Sequence, residues 1–482
     1  MDIVSATAPA ADTAQPLSVR TKLIYGAGQI VDTVTATLLP AFLFFYLTAV
    51  CGLSGFLAGL SMLITLVIDA VADPFIGALS DNTRSRWGRR HMFMLASIVP
   101  LAVSVGLLFS IPEVLTEFQA FLYVTAISIA LRLAYSAYTL PHAALGAELT
   151  ADYVERSSVA AYRLTFSSAG AFIPIVLGYS VFLTGPKGVL DRGAYSPFAW
   201  TCAALLLAAG LFCALATLRM RHGLHVAPTR SGLGRALFRD VINLARHRSA
   251  RILVGVVLMF NIAQGVVLNL NLHANKYFWG LSEEGLKLVG LAQPAGLLLG
   301  ALVGALLAKR FEKKPVVVYG LLAMCAIEAA LPMLRIAGII PADENVIVAL
   351  IIPGRIVMYV AYMSLLISFT SMVADAADEH ELMYGVRREG LFFAGVAFAT
   401  KSAAGFGGLW AGLVLDMIGF PKAPTAELVT PEITTRLGYA AGPVAGALTL
   451  ICVLIVLGYR LDRRAHDAIL AQIAVRRRAG GA

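Results

Sequence analysis

Residues 54–90 read SGFLAGLSMLITLVIDAVADPFIGALSDNTRSRWGRR. Up to Ser80 the run is apolar apart from Asp69 and Asp73. It exceeds the roughly 20 residues that a helix needs to cross about 30 Å of hydrocarbon. Arg84, Arg86, Arg89 and Arg90 then follow, the mark of a turn kept on the cytoplasmic side. Working outward, the same pattern recurs along the chain. Apolar runs at 23–50, 54–80, 91–112, 118–147, 157–184 and 195–218 predict six spans. Runs at 252–280, 284–308, 315–336, 343–373, 388–418 and 437–461 predict six more. Backbone groups in lipid must pair internally, so the runs are read as helices and the fold class as all-α membrane protein.

Composition agrees. Of 482 residues 59% are hydrophobic and only 14% charged, with mean hydropathy +0.78. Soluble domains carry about 25% charge. The deficit argues against a soluble enzyme, a nucleic-acid-binding protein and a disordered chain. The net charge of +9 is assigned to basic cytoplasmic loops. The expected partners are a lipid bilayer and a small solute, with no nucleic acid, and the chain is expected to be a monomer. Cys51, Cys202, Cys213, Cys325 and Cys452 form no CxxC pair, so they read as buried free thiols. The first 20 residues lack a basic region followed by an apolar core, so the first apolar run is expected to stay as a span.

The loops set orientation. The segment 219–251 carries Arg219, Arg221, Arg230, Arg235, Arg239, Arg246, Arg248 and Arg251 against Asp240 alone. KRFEKK follows span eight, and Arg476, Arg477 and Arg478 close the tail. The opposite loops CGLSG and IPEVLTE have no Lys or Arg. Both termini are therefore expected in the cytoplasm, at a bacterial inner membrane. The expected organisation is a segment 1–22, a six-helix half 23–218, a basic linker 219–251, a second half 252–461 and a tail 462–482. Gly77-Ala78-Leu79-Ser80-Asp81 and Gly304-Ala305-Leu306-Leu307-Ala308 stand before basic residues at equivalent places. Two repeated halves around a basic loop resemble the major facilitator architecture, with a solute site near mid-membrane.

Charges inside spans cost about 2.5–3.5 kcal/mol each on insertion scales. Asp69 and Asp73 stand one turn apart on one helix face. Two such anions repel, so either one is protonated or a cation sits between them. Hard oxygens suit Na⁺, Li⁺ or H⁺. The bland alternative is a pair of acids answering bases on other helices. Pro74 follows directly and distorts the helix, freeing carbonyls. Lys401 in span eleven needs an acid nearby, and Asp69 or Asp73 would serve. Asp32, Arg132 and Arg163 are further embedded charges, and Asn261, Gln264, Asn269 and Asn271 form a polar stripe on span seven. Glu328, Arg355 and Asp416 are read as structural, near helix ends, mutually paired or snorkelling. Asp81, with Arg84, Arg86, Trp87 and Gly88, forms a candidate cytoplasmic latch; plain positive-inside topology explains the arginines equally well.

At these residues the chain resembles the glycoside–pentoside–hexuronide:cation symporters, the melibiose permease family, over almost its whole length. The specific stretch is Asp69-x-x-x-Asp73-Pro74 with Asp81-Asn82-Thr83-Arg84-Ser85-Arg86-Trp87-Gly88. Supporting matches are Pro141, Ala144-Leu145, Arg156, Tyr162-Arg163, Met372-Val373-Ala374-Asp375, Arg387-Arg388-Glu389-Gly390 and Lys401. The resemblance implies that Asp69 and Asp73 bind the coupling ion, that Arg163 contributes to the sugar site, and that Lys401 lies near the cation site. It implies a hydroxyl ligand from Ser136. No cofactor is implied beyond H⁺ or Na⁺.

The departures carry information. Gln29, in Gly26-Ala27-Gly28-Gln29, stands where the family has a sugar-gripping Asp, with Asp32 one turn later as partial compensation. Thr139 replaces a second sugar-contacting acid, Ala143 an aromatic that flanks the sugar, and Ala72 an Asn between the cation acids. Losing an amide oxygen weakens a Na⁺ cage more than it weakens protonation, so H⁺ coupling is expected at least as readily as Na⁺. Losing acids while keeping Arg132, Arg163 and Lys401 leaves a more cationic cavity. That admits an anionic or amphiphilic cargo, such as a hexuronide or a lysophospholipid; a lysophospholipid-carrying branch of the superfamily looks similar around Asp69, Asp73, Ala161-Tyr162-Arg163 and Lys401. A cation neutralising the two acids would reposition Lys401 and favour rocking of the halves. A membrane-embedded enzyme is the rival class, but HExxH, GxSxG, a Walker loop and a His/Cys cluster are absent from the sequence. A non-transporting sensor or scaffold is the other rival, separated by uptake into proteoliposomes.

Overall fold

The computed structural model describes residues 17–83, 85–150, 152–219, 247–385, 389–424 and 428–479. Arg84, Arg387, Arg388 and most of the basic segment 219–251 lie outside them. The described residues are helical, without a strand. Among the described residues, ten helices are long and apolar enough to cross a membrane. In chain order they and their companions are α1 (residues 19–50, built from shorter helical pieces), α2 (Gly55–Asn82), α3 (Arg89–Leu108), α4 (Glu117–Glu148), α5 (Tyr153–Leu177) and α6 (Arg192–Leu218). The second set is α7 (Arg248–His273), α8 (Glu283–Arg310), α9 (Lys313–Ile336), α10 (Glu344–Tyr384), α11 (Glu389–Met417) and α12 (residues 431–457), with a tail helix α13 (Arg463–Ala479). The first and eleventh expected spans fall on α1 and α11.

Local chemistry explains the helix starts. Ser54 accepts from the Leu57 N–H, Ser282 from the Gly285 N–H and Asp343 from the Asn345 and Val346 N–H groups, so each caps its helix. Thr116 and Gln119 close a capping box on α4. Gly88, at φ 84°, makes the sharp turn into α3, a backbone conformation that glycine adopts without a Cβ clash. Two helices differ from expectation. α2 runs unbroken through Pro74, which lacks only the N–H that would meet the Ala70 carbonyl. α10 continues past the apolar run to Tyr384, because 374–384 is polar and helical at once.

One large apolar core joins residues of both halves, including Val34, Tyr46 and Leu101 with Leu270, Phe278, Ile351 and Val414. These cluster toward the end away from the termini. The other core is confined to the second half at the end that carries the termini, around Leu253, Val317, Met372, Ala376 and Val456. The antiparallel pair α2–α11 shows the same asymmetry. A Cβ on Gly412 would lie 1.9 Å from the Gly55 carbonyl oxygen, and one on Gly59 2.6 Å from that of Gly408. Continuing that register, Gly77 would stand opposite Gly390, yet a Cβ on either meets nothing. The halves touch at the far end and diverge toward the end bearing the termini.

The basic-end ion pairs repeat between halves. Arg89 and Arg90, opening α3, meet Glu148 at the end of α4 at 2.5 and 3.2 Å. Lys313, opening α9, meets Asp375 late in α10 at 2.6 Å. Arg90 also pairs with Asp81.

Candidate functional site

The site is built where α2 and α11 cross at mid-length. Asp69 is buried, and its Oδ1 accepts from the Ser136 hydroxyl of α4 at 3.0 Å. Its Oδ2 accepts from the Lys401 ammonium of α11 at 3.0 Å. Lys401 also donates to Asp73 Oδ2, so the ammonium bridges both acids. The other oxygen, Asp73 Oδ1, is buried and without a hydrogen-bond partner. Two carboxylates and one ammonium leave a formal charge of −1 in a cleft between the halves. Ala72 offers no side-chain oxygen here.

Asp69 and Lys401 line a cavity of about 340 Å³ together with Arg132, Tyr135, Asn269, Thr65, Ser128 and Thr400. The remaining wall is apolar, from Leu39, Leu43, Met62, Leu66, Leu131 and Leu268 among others. The Arg132 guanidinium lies 5.9 Å from the Tyr135 ring centroid. Among the described residues no carboxylate comes within ion-pair distance of it.

The other sequence-derived candidates fall into separate groups. Gln29 donates to Asp32, and the Tyr135 hydroxyl donates to the same carboxylate. Asp32 therefore sits behind Tyr135 rather than on the cavity wall. The Thr139 hydroxyl donates to the Tyr135 carbonyl at 2.9 Å, which uses its hydrogen within α4. Arg163 lies beside the Tyr25 hydroxyl, away from the cavity-lining residues. Asn261 and Gln264 line a separate cavity of about 210 Å³. Asp81 is held by Arg90, an arginine at the start of the next helix; Arg86 rests 5.6 Å from the Trp87 ring, and Gly88 makes the turn. That loop joins α2, α3 and α4 of one half. Arg84 of the candidate latch lies outside the described residues.

Tyr135 is a residue that the sequence reading passed over. Its signal was its place three residues after Arg132 on the same helix face. Glu328 and Asp416 were read as structural. Asp416 is: its carboxylate accepts from the Gly55 and Phe56 N–H groups at 2.9 and 2.7 Å, capping α2 from the other half. Lys422 and Glu117 pair beside it at 2.8 Å. Glu328 lies buried near mid-helix, bound to Gln264 and Thr449, and does not snorkel.

Comparison with known proteins follows the same lines. A family model described as MFS/sugar transport protein matches residues 24–463. An uncharacterized symporter of Synechocystis sp. is 26% identical over 96% of this chain and 98% of its own. The inner membrane symporter YicJ of Escherichia coli is 27% identical over 85% of each chain. The crystal structure of the nucleoside transporter NupG superposes with TM-score 0.62 at 13% identity, over 91% of this chain and 98% of that one, a likeness of fold.

Proposed function

The chain belongs to the MFS/sugar transport protein family, and from that premise we propose that it imports a sugar or glycoside in symport with a monovalent cation. It spans the bacterial inner membrane twelve times, with both termini in the cytoplasm. The observation that carries this reading is the Lys401 ammonium bridging Asp69 and Asp73 across the two halves. With net charge −1, the triad is neutralised by one H⁺ or one Na⁺. An arriving cation competes with the ammonium for the same oxygens, frees Lys401 toward the cavity and loosens the α2–α11 bridge. Solute and cation then tighten each other's binding by the same factor. The far end is closed by Asp416 and the glycine contacts, so this conformation opens inward. Ser136 and the two acids are the cation ligands; Arg132 and Lys401 face the solute. Gln29, Asp32, Thr139 and Arg163 act from the surrounding shell, and Asp81 with Arg86, Trp87 and Gly88 braces the cytoplasmic end of the first half.

H⁺ is the favoured ion. Ala72 supplies no side-chain ligand, and two carboxylates with the Ser136 hydroxyl make a sparse cage for Na⁺. The test is uptake of 4-nitrophenyl glycosides into proteoliposomes under an imposed pH gradient without Na⁺, or under a Na⁺ gradient at constant pH. Accumulation driven by the pH gradient and lost in Asp69→Asn and Asp73→Asn supports the reading. Accumulation that persists in both variants overturns it, and strict Na⁺ dependence overturns the choice of ion. A second reading follows from Arg132, which has no acid partner among the described residues and stands in a largely apolar wall. Those features suit an anionic glycoside or amphiphile, and a glucuronide and a lysophospholipid belong in the same uptake assay.

A further inference from the structure

The cavity beside α7 is lined differently from the one at the triad. Three rings, Phe260, Tyr359 and Tyr362, and three amides, Asn261, Gln264 and Gln293, dominate its wall. Phe260 and Tyr362 stack at 5.9 Å with 20° between their planes. The volume of about 210 Å³ holds several waters, room for one pyranose ring. The two cavities share Gly265, Leu268 and Ala404 as a common wall. Rings offer flat apolar faces to the C–H side of a sugar, while amides bind its hydroxyls.

The amides are not free to turn. Gln264 Nε2 donates to Glu328 Oε1 at 3.1 Å, and Thr449 donates to Glu328 Oε2 at 2.9 Å. The Gln264 amide thus faces Glu328 with its nitrogen, which leaves the amide oxygen as the remaining acceptor. Asn261 Nδ2 is likewise committed, to the Val257 carbonyl at 2.8 Å. Among the described residues, one helical turn of α7 thus carries two amide oxygens without a donor, and Gln293 has no hydrogen-bond partner. Glu328 is 7% exposed, makes its hydrogen bonds to Gln264 and Thr449 rather than to the triad, and does not line the first cavity. Behind it, Arg355 donates to Asn271 at 2.6 Å and adjoins the Tyr359 hydroxyl. The network fixes the wall of this cavity from outside.

We propose that this aromatic and amide cavity is a sugar-ring subsite, in which Gln264, oriented by Glu328, accepts a hydrogen bond from a ring hydroxyl and so discriminates between epimers. Glu328 is a positioning residue; it does not touch the sugar. The inference rests on the symport reading above and adds where the ring sits. A glycoside whose ring lies here extends its aglycone past Gly265 and Leu268 toward Arg132 and Lys401, in the larger cavity.

The test uses the full chain in proteoliposomes with 4-nitrophenyl β-glucoside and β-galactoside as probes. The unmodified protein should transport one epimer with a clearly lower KM. Gln264→Ala should raise the KM of the preferred epimer about tenfold, the value of one hydrogen bond, and bring the two epimers together. Glu328→Gln, which no longer dictates the Gln264 orientation, should lower the epimer ratio as well, and the double variant should lose no more than Gln264→Ala alone. An unchanged epimer ratio in Gln264→Ala, or additive losses in the double variant, overturns the subsite while leaving symport intact. Absence of saturable uptake of both probes by the unmodified protein overturns symport and the subsite together. A measurement independent of these substitutions is alkylation of Leu297→Cys, whose side chain lines this cavity and not the first. The preferred probe should slow its labelling severalfold; equal rates with and without probe overturn the proposal.

Discussion

Replacing Lys401 by Gln removes the charge that, in the proposed cycle, occupies the cation's place, while keeping a polar side chain. The ammonium makes two charged hydrogen bonds, to Asp69 at 3.0 Å and to Asp73. Unit charges 4 Å apart at an effective dielectric of 20 attract by about 4 kcal/mol. The Lys401 side chain is 35% exposed, so solvent screens it and that figure is a ceiling. A net value of about 1.5–3 kcal/mol, typical of a hydrogen bond to a charged group, is the better guide. An incoming cation must displace this interaction, so its loss lowers the half-saturating cation concentration about ten- to a hundredfold. The site then carries −2 instead of −1, and return of the empty carrier slows. The assay is the cation dependence of 4-nitrophenyl glycoside uptake in proteoliposomes, measured for H⁺ in Na⁺-free buffer and for Na⁺ at fixed pH. An unchanged or higher half-saturating concentration in Lys401→Gln refutes competition between lysine and ion.

Further perturbations address other parts of the molecule. Gly412→Ala puts a methyl 1.9 Å from the Gly55 carbonyl, so the far end cannot close as it does here; an impermeant thiol reagent applied outside whole cells should label Met62→Cys in the cavity faster, and an equal rate counts against the gate. Arg132→Gln should raise the KM of a nitrophenyl glucuronide about tenfold relative to the neutral glucoside, and an equal effect on both removes Arg132 as an anion anchor. At the basic end, His247 Nδ1 accepts from the Ala250 N–H and caps α7, which requires an unprotonated nitrogen. Burial holds its pKa below the ordinary 6.5, against the opposing pull of Glu379, with His380 adding to the depression. Its folded pKa is lowered, so the cap's stability of about 1 kcal/mol is present above the ordinary value and is lost as the pH falls below it. His247→Asn, a cap that does not titrate, should flatten the fall in melting temperature between about pH 7 and 5; an undiminished fall shows that other groups cause it.

The membrane helices were legible because lipid leaves little choice: a long apolar run must be a helix, and the arginines mark its ends. The end of α10 was not, since ADAADEHELMY has the polarity of a loop and the residues that make it helical, Asp375 and Asp378, hold Lys313 and His466 from elsewhere in the chain. Asp69, Asp73 and Lys401 could be singled out because a buried charge without purpose is too costly to keep. Their mutual geometry could not, for Lys401 stands 332 residues from Asp69. Glu328 was underread for the same reason: its partners Gln264 and Thr449 are uncharged and lie on other helices. Arg163 and Arg132 look alike as sequence, each a lone arginine in an apolar run. Only packing separates them, placing one beside the Tyr25 hydroxyl and the other on the cavity wall.

The pair α2–α11 is asked to do two things along one line of contact. At its far end glycine backbones and the Asp416 cap hold the halves together; at its middle Lys401 does so through charge. The far contacts are short, exclude side chains and do not depend on any ligand. The mid-length contact is ionic, and a cation can take over its carboxylates. An ion entering the triad would therefore weaken the mid-length contact first, and leave the glycine seam, the shared apolar core and the Lys422–Glu117 pair as barriers to outward opening. Opening the far end includes the loss of the two charged hydrogen bonds of Asp416, about 1.5–3 kcal/mol each. In an importer the empty carrier makes that opening, so ion and solute act together on the opposite step, in which the same contacts re-form. Coupling then needs no signal relayed through the bundle, since the ion site and the gate are parts of the same helix crossing.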